Sequence, residues 1–427
     1  IRKEAAKWCK YTDFLQLLDF MLEYVKDSCH KEHEKTADSR TEGMAVALKS
    51  EQNLEDVGIL NPPIPDQKPL VIPTAGLNNC GGICVIRPTV MEGCVLRIES
   101  DTENRIPQIR ACVRGRGYRK TFFNPQRLRY PMKRIGKRGE GRFQRISWEE
   151  AVSMIVKEWK RIRDCYGPGS RYVNYGWGVA GIMRPGALAK RLLALDGGYL
   201  DSYNSYSAAC INTVCPYMYG TNDCENSPSD LLHTKLLILW GDNPAETIFG
   251  PEKVYYLSKL KEQKEEGSGV REMVIDPRLS QTGIAYADQW IAPRPSTDSA
   301  LADGMAYVIW SEGLNDQEFM DRYCIGFDED HMPKGVPWGE SYHTYLFGIR
   351  DGIPKTPEWA AKITGIDPEI IRGLAREYGK TKPACILSGL GPQRHGNGEQ
   401  TARGICMLAC LTGNVGISGG GSGGAGG

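Results

Sequence analysis

Three short apolar runs, each followed at once by a loop rich in Gly, Asp or Pro, limit the fold of this chain more than any other feature. The runs are "LLILW" (236–240) before "GDNP", "EMVI" (272–275) before "DPR", and "ACILSGLG" (384–391) before "PQRHG". Continuous apolar runs of this length are typical of strands buried on both faces of a sheet. We therefore predict a sheet that is covered by helices on both sides.

Helical patterns separate the apolar runs. Ser147 and Glu150 form a capping box at the start of one predicted helix. Strands that alternate with helices favour an α/β fold with parallel sheets. Further helices are predicted at 251–265, at 298–311, from Pro368 with Asp367 as N-cap, and at 399–411.

The loops after the predicted strands are the natural ligand site, because open α/β sheets bind ligands at the carboxyl ends of their strands. Glycine lets backbone N–H groups approach a diphosphate, and Asp or Asn can read a ribose or a base edge. In a single loop, Gly and Pro could merely turn the chain, whereas several such loops favour a large nucleotide-like ligand. The lack of an ordered G-x-G-x-x-G pattern argues against a plain NAD site.

Charge and cysteine content narrow the class of protein. The 427 residues carry a net charge of +1, which gives no general attraction to nucleic acid or acidic membranes. Residues 105–145 hold 14 Lys or Arg with Glu140 as the one acid, and read alone this stretch could be a nucleic-acid surface. The 14 cysteines are scattered through a long chain, which suits reduced thiols better than a disulfide scaffold.

Three cysteines have spacings typical of cluster ligands. Cys80 and Cys84 are separated by three residues, and Cys112 follows after 27 more. A four-iron cluster usually takes four protein ligands. Three thiolates could also bind zinc, although zinc sites prefer closer pairs of cysteines.

A series of motifs carries a strong family likeness. From about residue 70 to 420, the chain resembles the N-terminal part of catalytic subunits of the DMSO reductase family, in which two molybdopterin guanine dinucleotides hold molybdenum or tungsten. The motifs are "RACVRGRG" (110–117), "NPQRLRYPMKR" (124–134), "GEGRFQRISWEEA" (139–151), "LWGDNPAET" (239–247), "VIDPRLSQTG" (274–283), "RPSTDSALADGMAYV" (294–308), "GLGPQRHGNGE" (389–399) and "LTGNVGISGG" (411–420).

The resemblance implies several Rossmann-like α/β domains around a bis-pterin cofactor, with a small β domain of the iron–sulfur type before them. In the family, a C-terminal β-barrel completes the second pterin site, so we expect this chain to be part of a larger catalytic subunit. The expected domains are a helical extension and linker at 1–66, an iron–sulfur-type domain at 67–130, a truncated first α/β domain at 131–203 plus 385–427, and a second, dinucleotide-binding α/β domain at 204–384.

The resemblance assigns Cys80, Cys84 and Cys112 as ligands of a four-iron cluster, and the first ligand should fall at Gly76. Glycine cannot ligate, so a cluster with three thiolates and an outside ligand competes with a site that holds no cluster. Cys94 is a weak substitute because it lies ten residues beyond Cys84 in a strand-like segment.

The resemblance also places the active centre. Ser207 in "YSAA" falls on the position of the molybdenum ligand, and Cys210 is its local rival. Tyr175, Gly176 and Trp177 match a Y-G-W motif whose phenol and indole lie beside the metal. Both rings carry hydrogen-bond donors, although an aromatic pair that packs a core is the plain alternative for Trp177.

Residues expected to bind the pterin cofactor come from the same motifs. Arg114 falls on the family's basic position between cluster and pterin, and the basic stretch around it is expected to line the anionic cofactor. The full set is Arg114, Gly176, Gly241, Asp242, Asn243, Thr247, Asp276, Pro277, Arg278, Thr297, Asp298, Gly391, Gln393, Arg394 and Asn414.

The implied function is reduction of an S-oxide or N-oxide by oxygen-atom transfer in anaerobic respiration. A ferredoxin-like subunit would deliver electrons, a further subunit would anchor the enzyme to the membrane, and twin-arginine export would place it outside the cytoplasm, although no such signal occurs in these residues. The alternatives are an aromatic dehydroxylase or non-redox hydroxyl transferase of the same family, or a non-catalytic accessory subunit without molybdenum.

Overall fold

The computed structural model describes residues 68–76, 84–91, 94–101, 103, 106–174, 185–205, 207–248 and 251–424. The predicted N-terminal extension, Cys80, and the Tyr175–Trp177 motif lie outside these ranges. The chain forms two compact units, one built mainly from residues 84–101 and 110–203 and the other mainly from 204–424.

The first unit opens with a four-stranded antiparallel sheet, in agreement with the predicted small β domain. Its strands are β1 (Leu70–Val71), β2 (Thr74–Gly76), β3 (Cys84–Met91) and β4 (Cys94–Ser100). Strand β3 pairs with all three others and is the longest of them. Two short helices follow the sheet, α1 (Val113–Gly117) and α2 (Arg119–Phe122).

The rest of the first unit is a hairpin and two longer helices. Strands β5 (Met132–Arg134) and β6 (Phe143–Arg145) pair, and α3 (Trp148–Tyr166) and α4 (Pro185–Leu195) follow. Helix α3 begins where the capping box predicted, since the Ser147 hydroxyl accepts a hydrogen bond of 3.1 Å from the Glu150 amide.

The second unit is built on a four-stranded sheet in the order β10, β7, β8, β9, with every pair parallel. The strands are β7 (Leu236–Trp240), β8 (Arg271–Ile275), β9 (Gln289–Ile291) and β10 (Ala384–Ser388). The three strands predicted from apolar runs are thus confirmed. Alternate residues of β7 pack into different cores, with Trp240 in one and Leu239 in the other.

Helices cover both faces of this sheet, as predicted. The larger core is closed by helices that follow β9 and flank β10, and the smaller core by the helix between β7 and β8. The helices of the unit are α5 (Ala209–Tyr219), α6 (Pro251–Glu265), α7 (Gln281–Tyr286), α8 (Asp298–Ser311), α9 (Gln317–Tyr323), α10 (Tyr342–Leu346), α11 (Pro357–Thr364), α12 (Pro368–Lys380) and α13 (Gly398–Leu411).

The segment after residue 384 belongs to this sheet. Strand β10 pairs in register with β7, from Ala384 opposite Leu236 to Ser388 opposite Trp240. The expected grouping of 385–427 with 131–203 differs from this arrangement, because sequence alone does not show which strand a buried run will pair with. The domain boundaries themselves stay a prediction.

The loops after β7 and β10 are packed against each other. Gly241 has a φ of +60°, and a Cβ there would lie 2.2 Å from the Pro392 Cγ. A Cβ on Gly389 would lie 1.9 Å from the Gly241 carbonyl oxygen. Only glycine fits at either position, so this contact depends on both residues.

Replacing Gly241 by Ala should destabilise the second unit through both conformation and collision. Gly269 is the matched control, since its φ is +72° but a Cβ would meet nothing within 4 Å. We expect G269A to cost about 1–2 kcal/mol and G241A about 3–4 kcal/mol in denaturant unfolding. Equal losses for the two variants would contradict the close packing of the loops.

Candidate functional site

The loops that follow the parallel strands meet at one edge of the sheet. The Gly241 amide donates to the Ile275 carbonyl at 2.7 Å, and the Gly389 amide donates to the Trp240 carbonyl at 2.9 Å. Parallel pairing therefore continues one residue beyond the strands. It places Gly241, Asp276 and Gly389 side by side, as the sequence predicted for a ligand site.

Asp298, at the start of α8, lies beneath this edge. Its Oδ1 accepts a hydrogen bond of 2.8 Å from the indole Nε1 of Trp240, and 6% of the residue is exposed. Burial raises the pKa of the Asp298 carboxyl, and the bond from Trp240 offsets only part of that effect. Trp240 thus fixes the position of a buried carboxyl group at the strand ends.

The loop after β7 is tied to the loop after β8 by two side-chain contacts. The Thr282 hydroxyl donates to the Asn243 Oδ1 and accepts from the Ala245 amide at 3.1 Å. Glu246 forms a bidentate pair with Arg278, with N···O distances of 3.0 and 2.6 Å. This pairing, helped by the Gln281 amide, lowers the pKa of Glu246 to about 2.

Asp242, in the loop after β7, is committed to an ion pair with the helix that follows this loop. Its Oδ2 lies 3.0 Å from the Lys253 Nζ on α6, and the two side chains are 12% and 5% exposed. A pair that is this enclosed holds the loop to the helix. The negative charge of Asp242 is therefore balanced within the protein.

The segment that carries Ser207 is held by the loop after β10. Gln393, which is 2% exposed, donates from Nε2 to the Ser207 carbonyl at 2.8 Å and accepts at Oε1 from the Cys210 amide at 3.1 Å. The Arg394 Nε donates to the same Ser207 carbonyl at 3.1 Å. The structure thus brings together Ser207, Gln393 and Arg394, which sequence placed in separate motifs.

Cys210 lies one turn further, at the start of α5. Its Sγ donates to the Glu399 carboxylate at 3.8 Å. Burial raises the pKa of the Cys210 thiol, and the negative charge of Glu399 raises it further. These surroundings favour a protonated thiol, which is a poorer metal ligand than a thiolate.

In the small β domain, Gly76 lies opposite Cys84 in the antiparallel register. A Cβ built on Gly76 would lie 2.8 Å from the Cys84 Sγ, so a side chain at this position would point at that thiol. Cys94 pairs with Met91 at the other end of β3, about 20 Å from Cys84 along the strand. This distance argues against Cys94 as a substitute for the missing ligand.

Cys112 lies just before α1, where its thiol meets hydrogen-bond donors. Burial raises the pKa of this thiol, but the amides of Gly115 and Arg114 and the Arg114 guanidinium together outweigh that effect, so the pKa is lowered. A thiolate is the form that binds iron. The lowered pKa of Cys112 suits the ligand role predicted for it, and the cluster site with its missing ligand at Gly76 stays a prediction.

Not every predicted cofactor residue is available to a ligand. Asn414 is fully buried, with its Oδ1 accepting from the Ala384 amide at 2.9 Å and its Nδ2 donating to the Thr412 hydroxyl at 2.8 Å. Its amide holds the start of β10 to the turn after α13. Arg278, Arg394 and Thr247 are exposed, in contrast, and Gly391 is open as well.

The sequence analysis did not identify three residues that hold the predicted site residues in place. Trp240, Lys253 and Thr282 contact predicted residues, but each belongs to a strand or helix pattern that reads as ordinary packing. Lys253 could have been noticed from its spacing. It is charged, yet it lies on the same face of α6 as the apolar residues Leu257 and Leu260, which are buried.

Comparison with known proteins agrees with this arrangement. A family model described as molybdopterin oxidoreductase matches residues 127–426. The chain belongs to the molybdopterin oxidoreductase family. The family predicted from the motifs is therefore confirmed.

Several curated relatives are similar over most of the chain. Dimethyl sulfoxide reductase DmsA of Escherichia coli is 47% identical over 83% of this chain and 44% of its own length. The probable dimethyl sulfoxide reductase chain YnfF of Escherichia coli is 49% identical over 81% and 43%. A dimethyl sulfoxide/trimethylamine N-oxide reductase of Cereibacter sphaeroides is 33% identical over 71% and 38%. The chain spans less than half the length of these relatives.

A solved structure shares the fold. Acetylene hydratase from Pelobacter acetylenicus superposes with a TM-score of 0.60 over 80% of this chain and 43% of that chain, at 24% identity. The likeness supports the α/β fold class predicted from the alternating strands and helices.

Replacing Gln393 by Ala should release the Ser207 segment. The change leaves the Ser207 carbonyl and the Cys210 amide without their bonds to this side chain, so we expect a loss of about 1–3 kcal/mol in denaturant unfolding. Gln281, which is exposed at the start of α7, is the control, and Q281A should change stability by less than about 0.5 kcal/mol. If Q393A unfolds with the same free energy as wild type, the hydrogen bonds of Gln393 do not hold the Ser207 segment.

Asp298→Asn should change how stability depends on pH. The folded-state pKa of Asp298 is raised, so the folded protein binds the proton more tightly, and wild-type stability falls as pH rises from the ordinary value near about 3.9 through the raised one. Asn keeps the acceptor for Trp240 but does not titrate. The stability gain of the variant should therefore grow across that pH window, and a gain that is constant with pH would contradict the burial.

Proposed function

We propose that this chain is part of a molybdenum-dependent reductase of S-oxides or N-oxides that works in anaerobic respiration. The similarity to curated dimethyl sulfoxide and trimethylamine N-oxide reductases over most of the chain is the observation that carries the proposal. It favours a reductase over the dehydroxylase, hydroxyl transferase and accessory-subunit alternatives.

The residues at the strand ends fit the molybdopterin guanine dinucleotide cofactor. Gly391 presents open backbone, and the exposed Arg394 side chain suits an anionic diphosphate. The buried carboxyl of Asp298 suits the N–H donors of a purine edge. When bound, the molybdenum centre supplies two-electron oxygen-atom chemistry.

In this proposal, Ser207 is the protein ligand of the metal. Gln393 and Arg394 hold the Ser207 carbonyl and thereby fix the backbone that carries its side chain. Tyr175 and Trp177 would donate hydrogen bonds to the substrate oxygen, which stabilises charge as it develops there.

Electrons would enter through the small β domain. Cys80, Cys84 and Cys112 would hold an iron–sulfur cluster, with an outside ligand at the position that Gly76 leaves open. A ferredoxin-like subunit would supply the electrons, and a separate subunit would anchor the enzyme to the outer face of the membrane. Within the described part of the chain, no helix is long and apolar enough to cross a membrane.

The test uses the complete gene product, purified without oxygen. We expect elemental analysis to find molybdenum and iron, and reduced viologen to drive reduction of dimethyl sulfoxide or trimethylamine N-oxide. Ser207→Ala should lower that rate by at least about 100-fold, since even residues that only orient metal ligands cost about 10–100-fold.

Cys210→Ala is the matched control for the ligand assignment. It should keep most of the activity, because its thiol is paired with Glu399. Loss of activity in C210A with retention in S207A would move the ligand role to Cys210. Purified protein without molybdenum and pterin would contradict the reductase proposal as a whole.

A further inference from the structure

A cavity of about 580 Å³ lies in the second unit, between α5, α9 and the end of α13. Aromatic side chains form much of its wall, and Tyr217, Tyr323 and Ile325 at its rim are 88%, 64% and 75% exposed. The cavity is therefore open to small apolar or neutral molecules. Cys324 and Cys410 line it.

The two cysteines come from different elements and meet in this wall. Cys324 directly follows α9, and Cys410 lies in the last turn of α13. Each thiol shifts the pKa of the other, so the two lie close together, and both are free. The Tyr219 phenol oxygen lies 3.5 Å from the Cys410 Sγ.

The pair is chemically asymmetric. The neighbouring Cys324 lowers the pKa of Cys410 despite its burial. The pKa of Cys324 is raised, first by Cys410 and then by burial. A lowered pKa favours the thiolate, so we assign Cys410 as the attacking sulfur of the pair and Cys324 as the resolving one.

We propose that Cys324 and Cys410 form a redox-active dithiol site that reacts with small neutral disulfides entering through the cavity. The Cys410 thiolate attacks one sulfur of the disulfide, forms a mixed disulfide, and releases one thiolate, which takes up a proton. Cys324 then loses its proton, attacks the Cys410 sulfur, and releases the second thiol. The protein dithiol loses two electrons and two protons, and the small disulfide gains them.

Other thiols in the unit are poorer candidates. Cys385 is 3% exposed, and burial raises its pKa. Cys224 lowers the pKa of Cys215, but Cys406 and burial outweigh this effect and raise it to about 12. The reaction should therefore select one pair among several buried cysteines.

The experiment treats the complete protein, under native conditions and without oxygen, with hydroxyethyl disulfide. Alkylation, proteolysis and mass spectrometry then identify each product. We expect wild type to lose two thiols and to yield a peptide linked through Cys324 and Cys410. C324S should stop at one hydroxyethylthio group on Cys410, and C410S should react at Cys324 at least about tenfold more slowly.

Cys385→Ser is the matched control, since it removes a buried thiol outside the cavity and should give the same linkage as wild type. C324S and C410S test the proposal separately. The first should stop at a mixed disulfide on Cys410, and the second should react slowly at Cys324. A linkage that forms only after unfolding in urea would overturn the proposal. So would a mixed disulfide that persists on wild-type Cys410, or a wild-type linkage through Cys215 or Cys406.

Discussion

The burial of β7 on both faces is the constraint on which the second unit depends. All five of its residues are buried, and its neighbours β10 and β8 satisfy its backbone hydrogen bonds. A strand in this position cannot carry polar side chains, so they begin only where pairing ends, at Gly241 and Asp242. The polar side chains that follow β7 are therefore concentrated at one edge of the sheet, just beyond its last paired residue.

The same constraint explains what could be predicted from sequence. Apolar runs and caps marked β7, β8 and the predicted helices to within about one residue, because each depends on local patterns, whereas the run 384–391 extends three residues beyond the end of β10. The partners of the loop residues depend on tertiary packing instead. Nothing in the local sequence shows that Lys253 pairs with Asp242, or that both ends of the Asn414 amide are occupied, although "LTGNV" fits the family motif.

In the small β domain, the strand register shows where the position of the missing ligand lies relative to the cysteines. Counting residues placed a missing ligand at Gly76 and left Cys94 as a rival. The antiparallel pairing of β3 puts Gly76 next to the Cys84 thiol and Cys94 at the far end of the strand. A spacing rule cannot make this distinction, because two positions at similar sequence distances from Cys84 can lie beside opposite ends of an eight-residue strand.

The hydrogen bonds from Gln393 position the backbone around Ser207 without involving the side chain that is proposed to bind the metal. The bonds use the carbonyl of Ser207 and the amide of Cys210, and they do not use the Ser207 hydroxyl. A backbone tie is indifferent to the side chain at position 207, so the loop can present a different ligand without losing its anchor. The buried amide of Gln393 must provide both a donor and an acceptor, and this requirement makes position 393 the more restricted of the two.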